Sequence, residues 1–207
     1  MKNCGICGSD IHYYLHDQNG GRKILEPLML GHEFSGQIIE LGPKVDNLKV
    51  GDRIIVNPAL TCENCFYCKS NKRNLCENGS FFGSAAKLPH TQGAFREHIE
   101  VYQSQCHKIE QDISFEQAAF AEPLAVAFHA TSLVSNYKNK KIIISGCGPI
   151  GLLILKILKN LIKLENLFVI DVNSNVLKAA KKIGIINSIN IINDKNFLKD
   201  YNNFFDI

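Results

Sequence analysis

The stretch from Ile142 to Gly151 is IIISGCGPIG, a short apolar run followed by a glycine-rich turn. The apolar run predicts a buried parallel strand, and the residues after the turn predict a helix. The glycines have the G-x-G-x-x-G spacing, which allows a tight turn at Gly146, close approach of a diphosphate at Gly148 and close helix packing at Gly151. Because the exposed N–H groups and the helix dipole favour an anion, the stretch predicts a dinucleotide-binding unit.

Asp171 lies twenty residues beyond Gly151, at the end of a second apolar strand. An acidic side chain at this place accepts hydrogen bonds from ribose hydroxyls and repels a 2′-phosphate, so it favours NAD. NADP stays possible because Lys178 and Lys182 lie near in sequence, and an ordinary glycine-rich turn with a surface aspartate is the structural alternative. The predicted cofactor-binding residues are Gly146, Gly148, Pro149, Ile150, Gly151 and Asp171.

Four cysteines form a C-x2-C-x2-C-x7-C run: Cys62, Cys65, Cys68 and Cys76. Four thiolates at this spacing can fill every position of a tetrahedral Zn²⁺, which is typical of a structural site. Two disulfides are the main alternative, but the chain shows no recognisable leader, and we expect a protein of the reducing cytoplasm. An iron–sulfur cluster is less favoured, because bacterial cluster runs are spaced more tightly and end in Cys-Pro.

The composition excludes several other classes of function. The chain has 207 residues, 45% of them hydrophobic, and a formal net charge of +3. Because this charge is modest and no basic stripe is present, no nucleic-acid partner is predicted. The longest apolar run is broken by a lysine and is far shorter than the ~20 residues of a membrane-spanning helix, so no membrane partner is predicted either.

The chain divides into two predicted domains, which differ in composition and in the pattern of their apolar segments. Residues 1–113 have glycines, cysteines and histidines between short apolar segments such as 37–41, which predicts an antiparallel β-rich lobe. Residues 114–207 alternate helix and strand from Ser114, where Gln117 completes a capping box. The fold class predicted is α/β with a β-rich lobe. Its predicted later elements are helices over 118–129, 149–161 and 172–183 and strands over 141–145, 166–171 and 188–192.

A second group of candidate metal ligands lies in the glycine-punctuated loops Cys7-Gly8-Ser9-Asp10-Ile11-His12 and Gly31-His32-Glu33. A zinc ion held by Cys7, His32 and one carboxylate keeps a position open for water or substrate, as a catalytic zinc requires. Taken singly, each of these residues is more often a packed or surface residue. Their occurrence beside the four-cysteine run and the glycine motif is what favours a metal site.

Together these motifs resemble those of the zinc-dependent medium-chain dehydrogenases, the alcohol and polyol dehydrogenase family. The resemblance rests on Cys7-Gly-Ser-Asp, Gly31-His32-Glu33-Phe34, the four-cysteine run, Ala121-Glu122-Pro123-Leu124 and the glycine motif, in that order along nearly the whole chain. It implies a GroES-like catalytic domain followed by the first half of a Rossmann domain. The first strands of the catalytic domain and the second half of the Rossmann domain are expected to be missing, so the chain is interpreted as truncated at both ends.

The resemblance also implies a reaction and its metal ions. It implies hydride transfer to NAD or NADP from a secondary alcohol of a small-molecule polyol or sugar acid such as L-idonate, with sorbitol or threonine as alternative substrates. Two zinc ions are expected, one structural and one catalytic. Cys7, His32 and Glu33 match ligands of the catalytic zinc in the polyol branch. Glu122 matches the position of a second cysteine ligand in alcohol dehydrogenases, and would be either a ligand or a base.

Four further residues take roles from the same resemblance. Ser9 and His12 match the hydroxyl and the imidazole of a proton relay, and Tyr13 and Phe95 match positions that line the substrate pocket of polyol dehydrogenases. The full-length protein is expected to be a homo-oligomer. Two alternatives stay open, a non-catalytic remnant that keeps the structural zinc and part of the nucleotide site, and a zinc-ribbon interaction module. Two zinc ions per chain would favour the enzyme, and one would favour either alternative.

Overall fold

Short apolar segments separated by turns form antiparallel strands in the first part of the chain. The computed structural model describes residues 1–194 and 196–207, and this part, Met1–Glu122, is one of its two units. Its strands are β1 (Asn3–Cys4), β2 (Gln18–Asn19), β3 (Arg22–Lys23), β4 (Phe34–Gln37), β5 (Arg53–Val56), β6 (Ala59–Leu60), β7 (Ser80–Phe81) and β8 (Cys106–Lys108). Its helices are α1 (Gly8–His16), α2 (Phe66–Lys69) and α3 (Phe115–Ala119), and α4 (Ala121–Ser132) contains the division between the units. Single 3₁₀ turns occur at Arg73–Leu75 and Gln103–Gln105.

The main sheet of the first unit has the order β1-β4-β5-β8, and every pair in it is antiparallel. In β5 the burial alternates, so that Ile54 and Val56 face inwards with Phe34, Phe82 and Ala94. This alternation is what a strand with one covered face requires. Two further two-stranded antiparallel sheets, β2-β3 and β6-β7, belong to the unit, and the antiparallel β-rich lobe predicted from the sequence is confirmed.

One strand of the first unit lies elsewhere than predicted. The strand predicted over 37–41 is instead β4, Phe34–Gln37, because both of its neighbours pair with that segment: Cys4 lies opposite Phe34, and Ile55 lies opposite Ser35. Beyond β4 the ladder continues only through Ile38, whose N–H donates to Asp52 at 2.9 Å. The apolar pattern of 37–41 was thus a poor guide to register.

The division between the units falls after Glu122, nine residues beyond the boundary predicted at 113/114. The helix α3 belongs to the first unit because it is tied to the main sheet. Ser35 Oγ donates to the carbonyl oxygen of Phe115 at 2.6 Å, and the guanidinium of Arg53 lies 4.6 Å from the centre of the Phe115 ring. Ser114 caps α3 by accepting a hydrogen bond from the N–H of Gln117, and the Gln117 side chain accepts one from the N–H of Ser114, as the sequence predicts.

The second unit, Pro123–Ile207, alternates strand and helix. After α4 its elements are β9 (Ile142–Ser145), α5 (Pro149–Leu158), a 3₁₀ turn at Leu164–Asn166, β10 (Leu167–Asp171), α6 (Ser174–Ile183), β11 (Asn187–Asn190) and α7 (Phe197–Asp200). The three strands are parallel in the order β11-β10-β9. Ile142, Leu167 and Val169 of the sheet are buried with Leu155 of α5 and Leu177 of α6, so helix faces cover the sheet as parallel strands require.

The strands and helices predicted for the second unit are confirmed, with ends shifted by at most three residues. The helix predicted over 118–129 is two helices, because the N–H of Phe120 donates to Gln117 and ends α3 before α4 begins. Among the described residues, no helix has the length and apolar character needed to cross a membrane.

His90 joins two loops of the first unit and offers a test of their packing. The residue is 5% exposed, its Nε2 accepts from the N–H of Leu25 at 2.9 Å, and its Nδ1 lies 2.7 Å from the carbonyl oxygen of Lys87. His90→Ala leaves both backbone groups without their partner, so we expect the free energy of unfolding to fall by about 1–3 kcal/mol. Urea denaturation measures this loss. His98→Ala, at an exposed position, is the control, and an equal effect of the two variants would contradict the prediction.

Candidate metal and nucleotide sites

The four cysteines of the run converge on one point of the first unit. Cys65 precedes α2, Cys68 lies within it, and Cys76 follows the 3₁₀ turn. Cys62 Sγ lies 3.5 Å from Cys76 Sγ and 4.0 Å from Cys68 Sγ, and Cys65 Sγ lies 4.0 Å from Cys76 Sγ. Zn–S bonds of about 2.3 Å place the sulfurs of a tetrahedral site about 3.8 Å apart. The geometry therefore fits a zinc ion, and all eight cysteines are free thiols, so the disulfide alternative is wrong.

The pKa values of the Cys62 and Cys68 thiols also favour a bound divalent cation. The N–H groups of Asn64 and Cys65 lower the pKa of the Cys62 thiol to about 6. Burial instead raises the pKa of Cys68 to about 12. The polypeptide alone thus favours some of the thiolates and opposes others. Full ionisation of the four sulfurs needs a bound cation, which is how a structural zinc contributes to folding.

A second cluster brings together Cys7, His32 and Glu33. One ligand atom from each lies within 4.8 Å of the others. Cys7 is the N-cap of α1, whereas His32 and Glu33 lie in the segment that leads into β4. His32 is buried, and Cys7 and Glu33 are partly exposed. Sulfur, imidazole nitrogen and carboxylate oxygen are all zinc ligands, and three protein ligands leave one position open.

Asp10 holds the two segments of this cluster together. Its Oδ2 accepts from the N–H of Cys7 at 2.9 Å and its Oδ1 from the N–H of Gly31 at 3.1 Å. The same Oδ1 lies 3.8 Å from Nδ1 of His32, a buried nitrogen without a hydrogen-bond partner within the described residues. With Nδ1 turned towards Asp10, Nε2 is the nitrogen left for a metal, and a modest shift of the ring would give the hydrogen bond to a carboxylate that histidine ligands usually make.

No function was predicted for Asp10 from the sequence, although its spacing from Cys7 indicates one of its contacts. It stands three residues after Cys7, at the position from which an acidic side chain reaches back to the N-cap backbone. That contact is local and predictable from spacing. Its contacts with Gly31 and His32 are not, because they cross more than twenty residues of chain.

The pKa shifts around His32 describe a site with surplus negative charge. The hydrogen bond with His32 lowers the pKa of the Cys7 thiol. Burial acts to lower the pKa of His32, but the bond with Cys7 and the charge of Asp10 outweigh it, and the pKa is raised. Burial raises the pKa values of Glu33 and Glu122. The imidazole interacts electrostatically with the Cys7 thiol and with the carboxyl groups of Asp10, Glu33 and Glu122, so a divalent cation suits the donors present.

The remaining predicted site residues of the first unit lie in different surroundings. Ser9 is half-buried and hydrogen-bonds to Cys7, whereas His12 is exposed one turn along α1. Phe95 is 40% exposed, and its ring lies over Gly31 beside His32. Tyr13 is 2% exposed, and its hydroxyl accepts from the N–H of Ala85 at 3.2 Å. Tyr13 therefore packs in the core, and its contact with a substrate stays a prediction.

In the second unit the glycine motif has the conformations that its spacing predicts. Gly146 has φ +96°, which glycine adopts readily, and Gly148 is the N-cap of α5 with Pro149 at the first helical position. A Cβ atom on Gly151 would lie 2.1 Å from the carbonyl oxygen of Gly146, so only glycine lets the helix come this close. Ile150, between them, is partly exposed at 37%.

Asp171 closes the same turn from the end of β10. Its Oδ2 accepts from the N–H of Cys147 and its Oδ1 from the N–H of Asn173, each at 2.7 Å. The N–H groups of Asn173 and Cys147 lower the pKa of this carboxyl. Each carboxylate oxygen has a second lone pair, so Asp171 can still accept two hydroxyls. Lys178, considered above for NADP, donates to Asn175 Oδ1 at 3.2 Å.

Comparison with known sequences gives a consistent picture. Residues 1–111 match the family model of the alcohol dehydrogenase GroES-like domain. The chain is 38% identical to sorbitol dehydrogenase of Bacillus subtilis over 187 residues, which is 90% of this chain and 52% of that protein. It is also 38% identical to L-idonate 5-dehydrogenase (NAD(P)(+)) of Escherichia coli over 190 residues, 92% of this chain and 54% of that protein. The chain thus spans about half the length of the curated relatives it matches.

Solved structures agree with the sequence relatives. The crystal structure of L-idonate 5-dehydrogenase from Escherichia coli superposes with a TM-score of 0.86 at 38% identity, covering 92% of this chain and 54% of that one. Galactitol-1-phosphate dehydrogenase from Escherichia coli has a TM-score of 0.82 at 32% identity, with 95% and 56% covered. The predicted fold class, a GroES-like β-rich lobe followed by an α/β nucleotide domain, is confirmed.

Zinc content tests the four-cysteine cluster. We expect Cys76→Ser to remove about one zinc ion per chain and to lower the thermal unfolding midpoint, because structural zinc contributes directly to folding. Cys106→Ser is the matched control, since the Cys106 thiol donates to the carbonyl oxygen of Tyr102 and lies outside both clusters. Elemental analysis and circular dichroism measure the two effects. Unchanged zinc content in Cys76→Ser would refute the assignment.

The hydrogen bonds of Asp171 predict how the free energy of unfolding changes with pH. Its folded-state pKa is lowered, so its contribution to stability is present above the unfolded pKa of about 3.9 and is lost as the pH falls through the lower folded value. Asp171→Asn should therefore reduce the loss of unfolding free energy between about pH 5 and pH 3. Denaturant unfolding across this range measures it. Asp200→Asn, at an exposed position, is the control, and an acid dependence like that of the unchanged chain in Asp171→Asn would contradict the prediction.

Proposed function

Since this chain belongs to the zinc-dependent medium-chain dehydrogenases, the alcohol dehydrogenase family with a GroES-like domain, we propose that it oxidises a secondary alcohol with NAD or NADP as the hydride acceptor. The observation that supports this most is the meeting of Cys7, His32 and Glu33 within 4.8 Å. A structural zinc alone would not require this second group. The activity is proposed at the level of the complete proteins of this family, and this chain spans about half the length of the relatives it matches.

The proposed catalytic metal site uses the three residues that the structure brings together. Cys7, His32 and Glu33 would hold a zinc ion, which when bound supplies Lewis-acid polarisation of an alcohol oxygen without redox change. The hydrogen bond between Cys7 and His32 favours the thiolate form that a metal ligand must have. The Asp10 carboxylate lies 3.8 Å from Nδ1 of the His32 ring. Glu122, whose pKa is raised by burial, would serve as a further ligand or as a base.

Two residues of α1 would move the proton of the substrate hydroxyl. Ser9 lies beside Cys7, at the inner end of the helix, and His12 is exposed one turn further on. A hydroxyl followed by an imidazole that reaches solvent can pass a proton outwards, and His is suited to this near neutral pH. Phe95, which lies over Gly31 and is partly exposed, would contact the carbon skeleton of the substrate, and Tyr13 would support this wall from the core.

The second unit would bind the dinucleotide. The turn of Gly146 and Gly148 at the start of α5 would receive the diphosphate, with Pro149, Ile150 and Gly151 shaping the helix start. Asp171 would accept the ribose hydroxyls. We propose NAD as the preferred cofactor, because the carboxylate of Asp171 would oppose a 2′-phosphate and Lys178 is engaged by Asn175. NADP is the alternative.

For the substrate we propose a polyol or a sugar acid, with L-idonate as the first candidate. Support comes from relatives named for L-idonate, sorbitol and D-xylulose, each 35–39% identical to this chain. Sorbitol and threonine are the alternatives. The homo-oligomeric state of the full-length protein and its cytoplasmic location stay predictions.

Metal stoichiometry tests the proposed catalytic site without relying on turnover. We expect about two zinc ions per chain, and about one in Cys7→Ala, because that variant removes a ligand of one site only. Elemental analysis of the purified chain gives the count. Cys4→Ala is the matched control, since Cys4 belongs to neither group of candidate ligands. One zinc ion in the unchanged chain would exclude the catalytic site and favour the non-catalytic remnant.

A substrate panel tests the reaction. L-idonate, sorbitol, xylitol and threonine are each supplied with NAD or NADP, and formation of the reduced cofactor is followed by absorbance. We expect turnover with a polyol or sugar acid, and a fall of about 10²-fold or more in His12→Gln if it carries the proton. His16→Gln, one turn further along α1, is the control. Equal activity of all three proteins would exclude His12 from the relay.

A further inference from the structure

Gly5 lies directly opposite Glu33, where β1 meets the segment that leads into β4. The N–H of Gly5 donates to the carbonyl oxygen of Glu33 at 2.7 Å, which extends the pairing of Cys4 with Phe34 by one residue. In an antiparallel pair, the side chains of directly opposed residues lie on the same face. A side chain at position 5 would therefore project to the face that carries the Glu33 carboxylate.

The Glu33 side chain fills the space that a side chain at position 5 would need. A Cβ atom built on Gly5 would lie 2.3 Å from Glu33 Oε2, 3.2 Å from Glu33 Cβ and 3.4 Å from Glu33 Cδ. Opposed Cβ atoms in antiparallel strands are about 4.5–5.5 Å apart. The two backbones are thus closer here than a pair of side chains permits, and the carboxylate would have to move.

The backbone at Gly5 does not itself call for glycine. Gly31 and Gly83 have φ angles of +95° and +71°, where other residues are strained, but Gly5 is outside this positive range. An alanine at position 5 would even reduce the conformational freedom of the unfolded chain. The contact with Glu33 is therefore the feature of the structure that accounts for a glycine here.

We infer that Gly5 is a positioning residue, whose missing side chain leaves the Glu33 carboxylate in place beside Cys7 and His32. This inference rests on the metal site proposed above. The atom that clashes first is the end of a flexible side chain, so the chain with Gly5→Ala can keep its fold if the Glu33 carboxylate rotates away and the two strands separate slightly at the Glu33 Cβ. Gly5→Ala should then lower the affinity for the metal, because the displaced Glu33 carboxylate no longer lies near the Cys7 thiol and the His32 imidazole.

Zinc affinity of the whole 207-residue chain tests this inference. We expect Gly5→Ala to weaken binding of the second zinc ion by about tenfold or more, the range seen when a residue that orients a metal ligand is changed. Binding of the first zinc, at the four cysteines, should not change. Gly8→Ala is the matched control, because Gly8 is the first residue of α1, three residues beyond Gly5, and no atom lies within 4 Å of its Cβ position. Competition with a chromophoric chelator measures both affinities, and circular dichroism verifies the fold.

A double-mutant cycle shows whether Gly5 acts through Glu33. In the Glu33→Ala chain no carboxylate is left to displace, so adding Gly5→Ala should weaken the second zinc no further. A further tenfold loss in that background would overturn the inference, as would unchanged affinity in Gly5→Ala itself. Failure of the proposed function looks different: an unchanged chain that binds only one zinc ion would overturn the metal site, and the inference with it.

Discussion

The carboxylate of Asp10 is the contact on which the candidate metal site depends. It accepts hydrogen bonds from Cys7 and Gly31 and lies 3.8 Å from His32 Nδ1, so it joins the start of α1 to the segment before β4. The pairing of β1 with β4 brings the same two segments together two residues before Cys7, and Asp10 adds the contact at the thiol and the imidazole themselves. A carboxylate that is 3% exposed can remain there because backbone N–H groups compensate for its lost hydration.

Features set by neighbouring residues could be predicted from the sequence. The capping box of Ser114 and Gln117, the left-handed turn at Gly146 and the alternation of helix and strand after it each depend on a few consecutive positions. The four cysteines belong to this class, because fifteen residues of chain can reach around one ion with few alternatives. Local spacing therefore fixed most of the second unit and one complete metal cluster.

Features set by strand pairing could not be predicted in the same way. The register of β4 depends on β1 and β5, which are distant in sequence, and the apolar pattern of 37–41 misplaced it. The same pairing brings Gly5 opposite Glu33 and turns a spacing of twenty-eight residues into a contact. The burial of Tyr13 against Ala85 is of this kind as well. A sequence motif shows which side chains are available, but only the pairing shows which of them meet.

The segment that carries the four cysteines has little else to hold it. Between Cys62 and Cys76 only Cys68 is buried, and the helix α2 has four residues, too few to be stable alone. The salt bridge of this segment, between Arg73 and Glu63 at 2.8 Å, lies on the surface and contributes little to stability. Burial of apolar side chains therefore cannot close this loop, and cross-linking of its sulfurs by a cation can. By contrast, Cys7, His32 and Glu33 are held by Asp10, Gly5 and the main sheet. The four-cysteine cluster would therefore become ordered when its metal binds. The group of Cys7, His32 and Glu33 would already be ordered before a metal binds.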